Sequence, residues 1–408
     1  MRLKNIAILN PAYIGEDLGE NLVSFSPMEC LRYDNLRPYT ISFAQAKGKY
    51  TYFANDDVLF AKVTPCFENL NTAIASNLVN GVGFGSSEIN VLRLKKGVHS
   101  RYIFYLICSR PFIDAGCSSM CGVGGLKRVN PRAVLTFEFK LPTVAEQKAI
   151  AAYLDAECEK IGRQIALLER KANAYRRLKQ SLINRAVTRS LNPNAPLKPS
   201  GNDWIGDIPE HWAIRRIKSL FEERTELSEF GDEDLLSVSE YYGVAKRADK
   251  VEGDKISRSD SLVGYKKCYA NDIVSNIMLA WKGSLGRTSF DGIVSPAYGV
   301  YKPIINLNSS FYHFLFRTPI YRGIFRTYSR GIIESRLRLY TPNFLAIHTL
   351  FPPVEEQTEI VAYLDEKCSK IDAIIEKIGS KIERLKELKR SLINETVTGQ
   401  RAIEYSKS

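Results

Sequence analysis

Asn10-Pro-Ala-Tyr13 is the segment of this 408-residue chain nearest to a catalytic signature. Adenine methyltransferases hold a base turned out of the duplex with an Asn-Pro-Pro-Tyr tetrapeptide, so the comparison carries a definite chemistry. It fails because the second proline is missing, the segment opens the chain, and no glycine-rich loop precedes it that could hold S-adenosylmethionine. A turn after a first strand is expected instead. Glu138-Phe-Lys140 matches only the tail of a nuclease motif, and a helix start follows too closely for a catalytic core. No Walker A phosphate loop occurs, which argues against a nucleotide-driven motor. The four histidines, at 99, 211, 313 and 348, lack the pairing that acid–base or metal chemistry requires. The eight cysteines, at 30, 66, 108, 117, 121, 158, 268 and 368, contain no Cys-x-x-Cys pair, so no zinc site is expected.

The residues that remain suit binding. Lys127 and Arg128 follow Gly122-Val-Gly-Gly125, and Arg326, Arg330, Arg336 and Arg338 occupy the equivalent stretch of the second half. Glycine lets a backbone approach phosphate closely, and arginine binds guanine edges in bidentate fashion. A second pair of matched loops runs from Lys62 to Asn69 and from Met278 to Gly283, with Lys282 in the latter and with Phe67 and Trp281 as candidate stacking or wedge residues. Across the chain, 57 Lys and Arg against 45 Asp and Glu give +12, which favours an anionic partner. Charge alone does not separate DNA from RNA or membrane. By segment the balance is roughly +5 for 1–140, +5 for 141–190, +3 for 191–350 and −1 for 351–408.

The elements that position these loops come twice. At an offset of 210 residues, Pro142-Thr-Val-Ala-Glu-Gln147 aligns with Pro352-Pro-Val-Glu-Glu-Gln357, and the register holds without a gap through Ser181-Leu-Ile-Asn184 and Ser391-Leu-Ile-Asn394. Both copies predict long amphipathic helices. The first stripe is Ile150, Leu154, Cys158, Ile161, Ile165, Leu168, Ala172, Tyr175, Leu178 and Leu182. The second is Ile360, Leu364, Cys368, Ile371, Ile375, Ile378, Ile382, Leu385, Leu388 and Leu392. Thr143 with Glu146 has capping-box spacing, and Pro353 suits a first turn. Helices of about 43 residues would be about 65 Å long, too long for burial inside one domain, so each is expected to cover the other. A pseudo-twofold repeat makes the pair antiparallel, sends the globular parts to opposite ends and keeps Cys158 far from Cys368.

An apolar fraction of 45% over this length supports two to three domains. Ahead of each helix lie short apolar alternations, aromatics and turn residues, the pattern of a mixed α/β domain. Asn55-Asp-Asp-Val-Leu-Phe-Ala-Lys62 and Asn271-Asp-Ile-Val-Ser-Asn-Ile277 share a polar turn before a strand. The expected class is therefore α+β: two mixed α/β domains, at 1–141 and 191–350, joined by antiparallel coiled-coil helices at 142–190 and 351–400, with a tail at 401–408. Similar helices suggest one shared structural job, and diverged domains suggest two different targets, with simple drift after duplication as the alternative. No apolar run reaches membrane-span length and Met1-Arg2-Leu3-Lys4 opens no secretory signal, so a reducing cytoplasm is expected.

Leu191-Asn-Pro-Asn-Ala-Pro-Leu-Lys-Pro-Ser-Gly-Asn-Asp-Trp-Ile-Gly-Asp-Ile-Pro-Glu-His-Trp212, with the helix starts Val144-Ala-Glu-Gln147 and Val354-Glu-Glu-Gln357, resembles the specificity subunits of type I restriction-modification systems. The resemblance extends to Asp57-Val-Leu-Phe-Ala-Lys-Val-Thr-Pro-Cys-Phe-Glu-Asn69 and Asp291-Gly-Ile-Val-Ser-Pro-Ala-Tyr298. It implies two target-recognition domains, each reading half of a split asymmetric site in double-stranded DNA, with the helices as a ruler. It also implies two methyltransferase subunits using S-adenosylmethionine, and restriction subunits using ATP and magnesium. On this reading the chain itself is not an enzyme and holds no cofactor. Rival readings are a methyltransferase or nuclease with its own recognition domains, and a coiled-coil scaffold. One departure is that Met1-Arg-Leu-Lys aligns near Ile214-Arg-Arg-Ile-Lys218, so the first copy lacks a counterpart of Trp204–Trp212. Either the tail after Thr398 fills that place or the first domain is shortened.

Overall fold

The computed structural model describes residues 1–122, 125–249 and 261–403. Its longest elements are two helices, Val144–Arg189 of 46 residues and Val354–Val397 of 44. The first begins with the expected capping box. Thr143 Oγ1 accepts from the Glu146 N–H at 3.3 Å while Glu146 Oε2 accepts from the Thr143 N–H at 2.8 Å, so donors that a helix start leaves unpaired are satisfied. In the second, Pro353 replaces the threonine, and its carbonyl accepts the Gln357 N–H at 2.9 Å.

The stripes become the inner faces. Leu154, Cys158, Ile161, Leu364, Cys368, Ile371, Ile378 and Leu392 are buried, and Ile165, Leu168, Leu182 and Ile375 are half-buried. Leu178 and Leu388 correct the expectation, since both are about half exposed. Each follows two successive spacings of three from Ala172 or Ile382, and at about 100° per residue such a pair rotates the side chain roughly 120° off the seam. The next residue turns inward instead. Lys179 Nζ reaches Asp372 Oδ2 at 2.6 Å, and Lys389 Nζ lies 4.4 Å from the centre of the Tyr33 ring.

The chain divides into two compact units, residues 1–169 with 379–408, and residues 170–378. In the first, the strands Ala7–Leu9, Ile89–Leu94, Val58–Ala61 and Thr72–Ile74 form an antiparallel sheet in that spatial order. The helix Ser100–Ile107 packs the core against it, together with Leu154, Cys158 and Ile161 from one long helix and Leu392, Ile393 and Val397 from the other. Early residues of the first helix thus meet late residues of the second. In the second unit, Phe221–Glu223, Gly299–Pro303, Ile273–Ser275 and Leu285–Arg287 repeat the same strand order. There the Lys179–Asp372 pair again joins segments that run in opposite directions. The expected mixed architecture with antiparallel helices therefore holds inside each unit.

The polar turns also match, with Asp56 at φ 68° and Asn271 at φ 77° in the left-handed region just before their strands. Beyond the shared sheet the units diverge. The first adds a second four-stranded sheet, Tyr39–Ser42, Leu22–Ser26, Val82–Gly85 and Thr51–Ala54, and the second adds strand pairs such as Leu236–Ser239 with Gly243–Lys246.

One joint is duplicated closely. Gln147, buried, donates from Nε2 to the Pro142 carbonyl at 2.9 Å and accepts the His99 N–H at 2.8 Å. Gln357, buried, donates to the Pro352 carbonyl at 2.8 Å and accepts the Asn308 N–H at 2.9 Å. His99 and Asn308 are the N-caps of matching helices. Each glutamine therefore fixes where a globular part meets its long helix, using both ends of one amide. Neighbouring residues differ. Glu356 accepts from Trp212 Nε1 at 2.9 Å and contacts His211 Nε2 at 2.7 Å, docking the Trp204–Trp212 lead-in, while Glu146 at the equivalent place closes the capping box. Arg401 reaches the Tyr153 hydroxyl at 3.2 Å, and the tail from 404 on, which bears on the missing lead-in, lies outside the described residues.

Candidate nucleic-acid interface

In both units the two basic loops expected from sequence are brought side by side. In the first, the Val129 N–H donates to the Lys62 carbonyl at 2.8 Å, the Thr64 N–H to the Lys127 carbonyl at 3.0 Å and the Thr64 hydroxyl to the Gly125 carbonyl at 2.7 Å. In the second, the Leu339 N–H donates to the Ile277 carbonyl at 2.8 Å.

The later loop of each unit is the same hairpin. Cys121 and Arg128 exchange N–H···O bonds at 3.1 and 2.9 Å, and Arg330 and Arg338 do so at 2.9 and 2.9 Å. A glycine follows the first residue of each pair, Gly122 at φ 147° and Gly331 at φ 152°. A Cβ there would lie 2.3 Å from the Leu126 carbonyl oxygen or 2.5 Å from that of Arg336. Only glycine permits both the dihedral and the approach. Val123 and Gly124, part of the predicted glycine run, lie outside the described residues.

The candidate side chains fall into distinct environments. Lys127 and Asn69 are exposed and Lys62 is half-buried. Arg128 grips Glu88 with Nε and Nη2, the latter at 2.6 Å, and holds that carboxyl below the usual carboxylate range. Arg326 pairs with Glu334 and lies 5.5 Å from the centre of the Trp281 ring, with Lys282 at 5.1 Å. Arg330 and Arg336 are exposed. Arg338, Trp281 and Lys282 line a cleft of about 480 Å³ beneath the hairpin.

Phe67 requires correction as a stacking residue. It is buried against Phe60 and Phe112, and Gly116 makes the room, since a Cβ there would meet Phe67 at 2.3 Å. Trp281 is partly buried, and its Nε1 donates to the Met278 carbonyl at 3.1 Å, so only part of its ring faces out.

Sequence reasoning missed the supports. Asp57, buried at the start of its strand, accepts Arg93 Nη2 at 2.6 Å and the Ala54 N–H at 2.7 Å. Asp272 does the same for Arg224 at 2.8 Å and the Tyr269 N–H at 2.9 Å. Each arginine also covers a tyrosine face, Tyr52 or Tyr269. The signal was available as Asn-Asp-Asp and Asn-Asp ahead of the matched strands. The partner arginines occupy non-equivalent places, Arg93 within the strand Ile89–Leu94 and Arg224 just after Phe221–Glu223, so the repeat does not pair them.

A recess of about 400 Å³ lies in the second unit. Arg317 in its wall donates to five carbonyls, those of Ser239, Glu240, Tyr241, Gly283 and Leu285, and burial lowers its pKa to about 10. His313 accepts the Arg287 N–H at 3.3 Å, and burial, then Arg317, push it down to about 3. Both side chains are spent inside the fold, His313 on the Arg287 N–H and Arg317 on five carbonyls, so they order the loops that line the recess. Asn10, after the strand Ala7–Leu9, spends its side chain on Val91 and Asn90, as a turn residue does. Glu138 is bound by Arg2 at 2.7 Å. Among the described residues, no group of three or more His, Cys, Asp or Glu is placed to hold a metal, and no helix is long and apolar enough to cross a membrane.

Residues 209–384 match the family model of the type I restriction modification DNA specificity domain. The chain is 30% identical over 227 residues to the specificity subunit of the type I restriction enzyme EcoAI from Escherichia coli, covering 54% of this chain and 35% of that protein. It is 31% identical over 227 residues to the EcoEI specificity subunit from the same organism, with the same coverage. The chain thus aligns with 35% of the length of these two curated relatives. A solved structure described as the basis of complex assembly and conformational transition of the type I R-M system covers 98% of this chain and 97% of its own, with a TM-score of 0.74 at 16% identity. The HsdS subunit from Thermoanaerobacter tengcongensis covers 98% and 96%, with a TM-score of 0.55 at 16% identity. At that identity the structures speak to fold, which they share with this chain across nearly its whole length. The chain is thus similar to type I restriction-modification specificity subunits, by the matched domain over residues 209–384 and by a fold shared over nearly its whole length.

Proposed function

We propose that this chain is the DNA sequence-specificity subunit of a type I restriction-modification complex, with each unit's globular part reading one half of a bipartite asymmetric site in double-stranded DNA. The observation that carries this reading is the glycine-kinked hairpin built twice, each copy tied to a second basic loop and placed on a matching sheet. One scaffold with two different loop sequences suits two different half-sites. The paired long helices set the spacing between the half-sites and dock two methyltransferase subunits. Catalysis then belongs to the partners: S-adenosylmethionine to the methyltransferases, and ATP and magnesium to the restriction subunits. The chain is the non-catalytic reader among them.

The purified complex with methyltransferase is expected to protect one bipartite sequence, and binding that is only non-specific and salt-sensitive would sink the reading. Replacing Lys127 and Arg128 together by alanine is expected to relax recognition of one half-site, at about 1–3 kcal/mol for each lost base contact. Arg128 contributes toward the lower end, because it must first leave Glu88. Comparing binding to duplexes altered in either half checks this, and equal loss at both halves would overturn the assignment of one half-site to each unit.

A further inference from the structure

At the tip of the second unit's hairpin, the side chains of Ile332 and Ile333 belong to no core cluster. Ile332 is fully exposed and Ile333 more than half exposed, the most open pair of adjacent aliphatic side chains among the described residues. The loop that carries them is built and not frayed. Arg330 and Arg338 close its base, the Arg336 N–H donates to the Ile333 carbonyl at 2.9 Å, the Leu337 N–H to the Glu334 carbonyl at 3.2 Å, and Leu339 is tied to Ile277. Single exposed apolar residues are ordinary, but two β-branched side chains at the apex of an ordered hairpin are stiff, apolar and presented outward.

Their surroundings are cationic. Arg326, Arg330, Arg336 and Arg338 lie on the same hairpin or at its foot, and the carboxylate at the tip, Glu334, is engaged by Arg326. The equivalent hairpin of the first unit also carries an exposed aliphatic residue, Leu126, beside Lys127 and Arg128. An apolar apex with arginine flanks fits a surface whose outer layer is anionic and whose depth offers an apolar group. The major groove of DNA is such a surface, with phosphates at its rim and the thymine C5-methyl on its floor, beside the guanine edges that arginine reads.

We propose that Ile332 and Ile333 read a thymine methyl group in the half-site of the second unit. This deepens the reading of the chain as a DNA-specificity subunit and rests on it. The test uses the complex with its methyltransferase partner and duplexes in which each thymine of that half-site is replaced singly by deoxyuridine, which removes only the methyl. With the native chain, at least one replacement weakens binding about fourfold, the value of one buried methyl-sized group. With Ile332→Ala combined with Ile333→Ala, the same replacement has no further effect, because the partner of the methyl is gone. The slope of log K against log salt stays unchanged in that double variant, whereas Arg330→Ala lowers it by about one as a phosphate contact is lost. The proposal is overturned if no deoxyuridine position matters, if the same position matters equally in the double variant, or if the half-site lacks A·T pairs. It is likewise overturned if the isoleucines govern binding to vesicles of anionic phospholipid and leave DNA untouched. If the native complex recognises no sequence at all, the failure lies one step earlier, in the reading of the chain as a specificity subunit. The substituted side chains are exposed, so folding is preserved and can be verified by thermal unfolding.

Discussion

Adding seven residues to each long helix, after Glu169 and after Ile378, is expected to reduce binding at the native site to the non-specific level, a loss on the order of 10³-fold or more. Seven residues keep the apolar seam in phase and add about 10 Å to each helix. On DNA that length is about three base pairs, which turns the next half-site roughly 100° around the duplex. Lengthening both helices by twenty-one residues adds about 32 Å, close to one turn of the duplex, and brings both faces back into register. That longer chain is expected to recover recognition of the same two half-motifs, with the gap widened by about nine base pairs. Methylome sequencing of cells carrying each version reads the motif and its gap directly. An unchanged gap in the seven-residue version would remove the helices from the role of ruler.

The second large effect concerns stability. Asp57 is 3% exposed and Arg93 30%, and Asp272 is 2% exposed and Arg224 21%. Breaking such a pair is not symmetric. Arg93→Ala strands a carboxylate inside the sheet with the Ala54 N–H as its remaining partner, and is expected to cost about 3–5 kcal/mol. Asp57→Ala leaves an arginine that can swing to water, and is expected to cost about 2 kcal/mol, part of it the lost bond to the Ala54 N–H. Arg224→Ala and Asp272→Ala are expected to rank the same way in the other unit. Denaturant unfolding with hydrogen exchange to locate the loss checks both. Equal costs for arginine and aspartate would show that the carboxylate is not the desolvated member. Losses spread over both units would show that each sheet does not carry its own clamp.

The long helices were readable in the sequence because a seam with steps of three and four leaves an unambiguous trace over more than forty residues. The same trace misplaced Leu178 and Leu388, where two threes in succession carry the stripe around the helix and lysine stems take over the inside. The basic loops were readable because the chain repeats them, and the structure sets each pair side by side. Their partners were not. Glu88 lies forty residues before Arg128 in sequence, and no periodic pattern links them. Phe67 read as a loop aromatic because its neighbours are polar, yet the missing side chain at Gly116 opens a slot for it in the core. The isoleucine tip leaves no trace of this kind, because charge patterning marks only the arginines of that hairpin and its apex isoleucines are uncharged.

Cys121 opens the first unit's hairpin, hydrogen-bonded across its base to Arg128, and it is the exposed one of the eight cysteines, four of which are buried and three half-buried. A thiol in that position is a native attachment point for a fluorophore or spin label at the base of the first unit's hairpin, with no engineered residue needed. Its alkylation rate, measured with and without the cognate duplex, would report occupancy of one half-site alone. Engagement of the first unit could then be followed separately from binding of the chain as a whole.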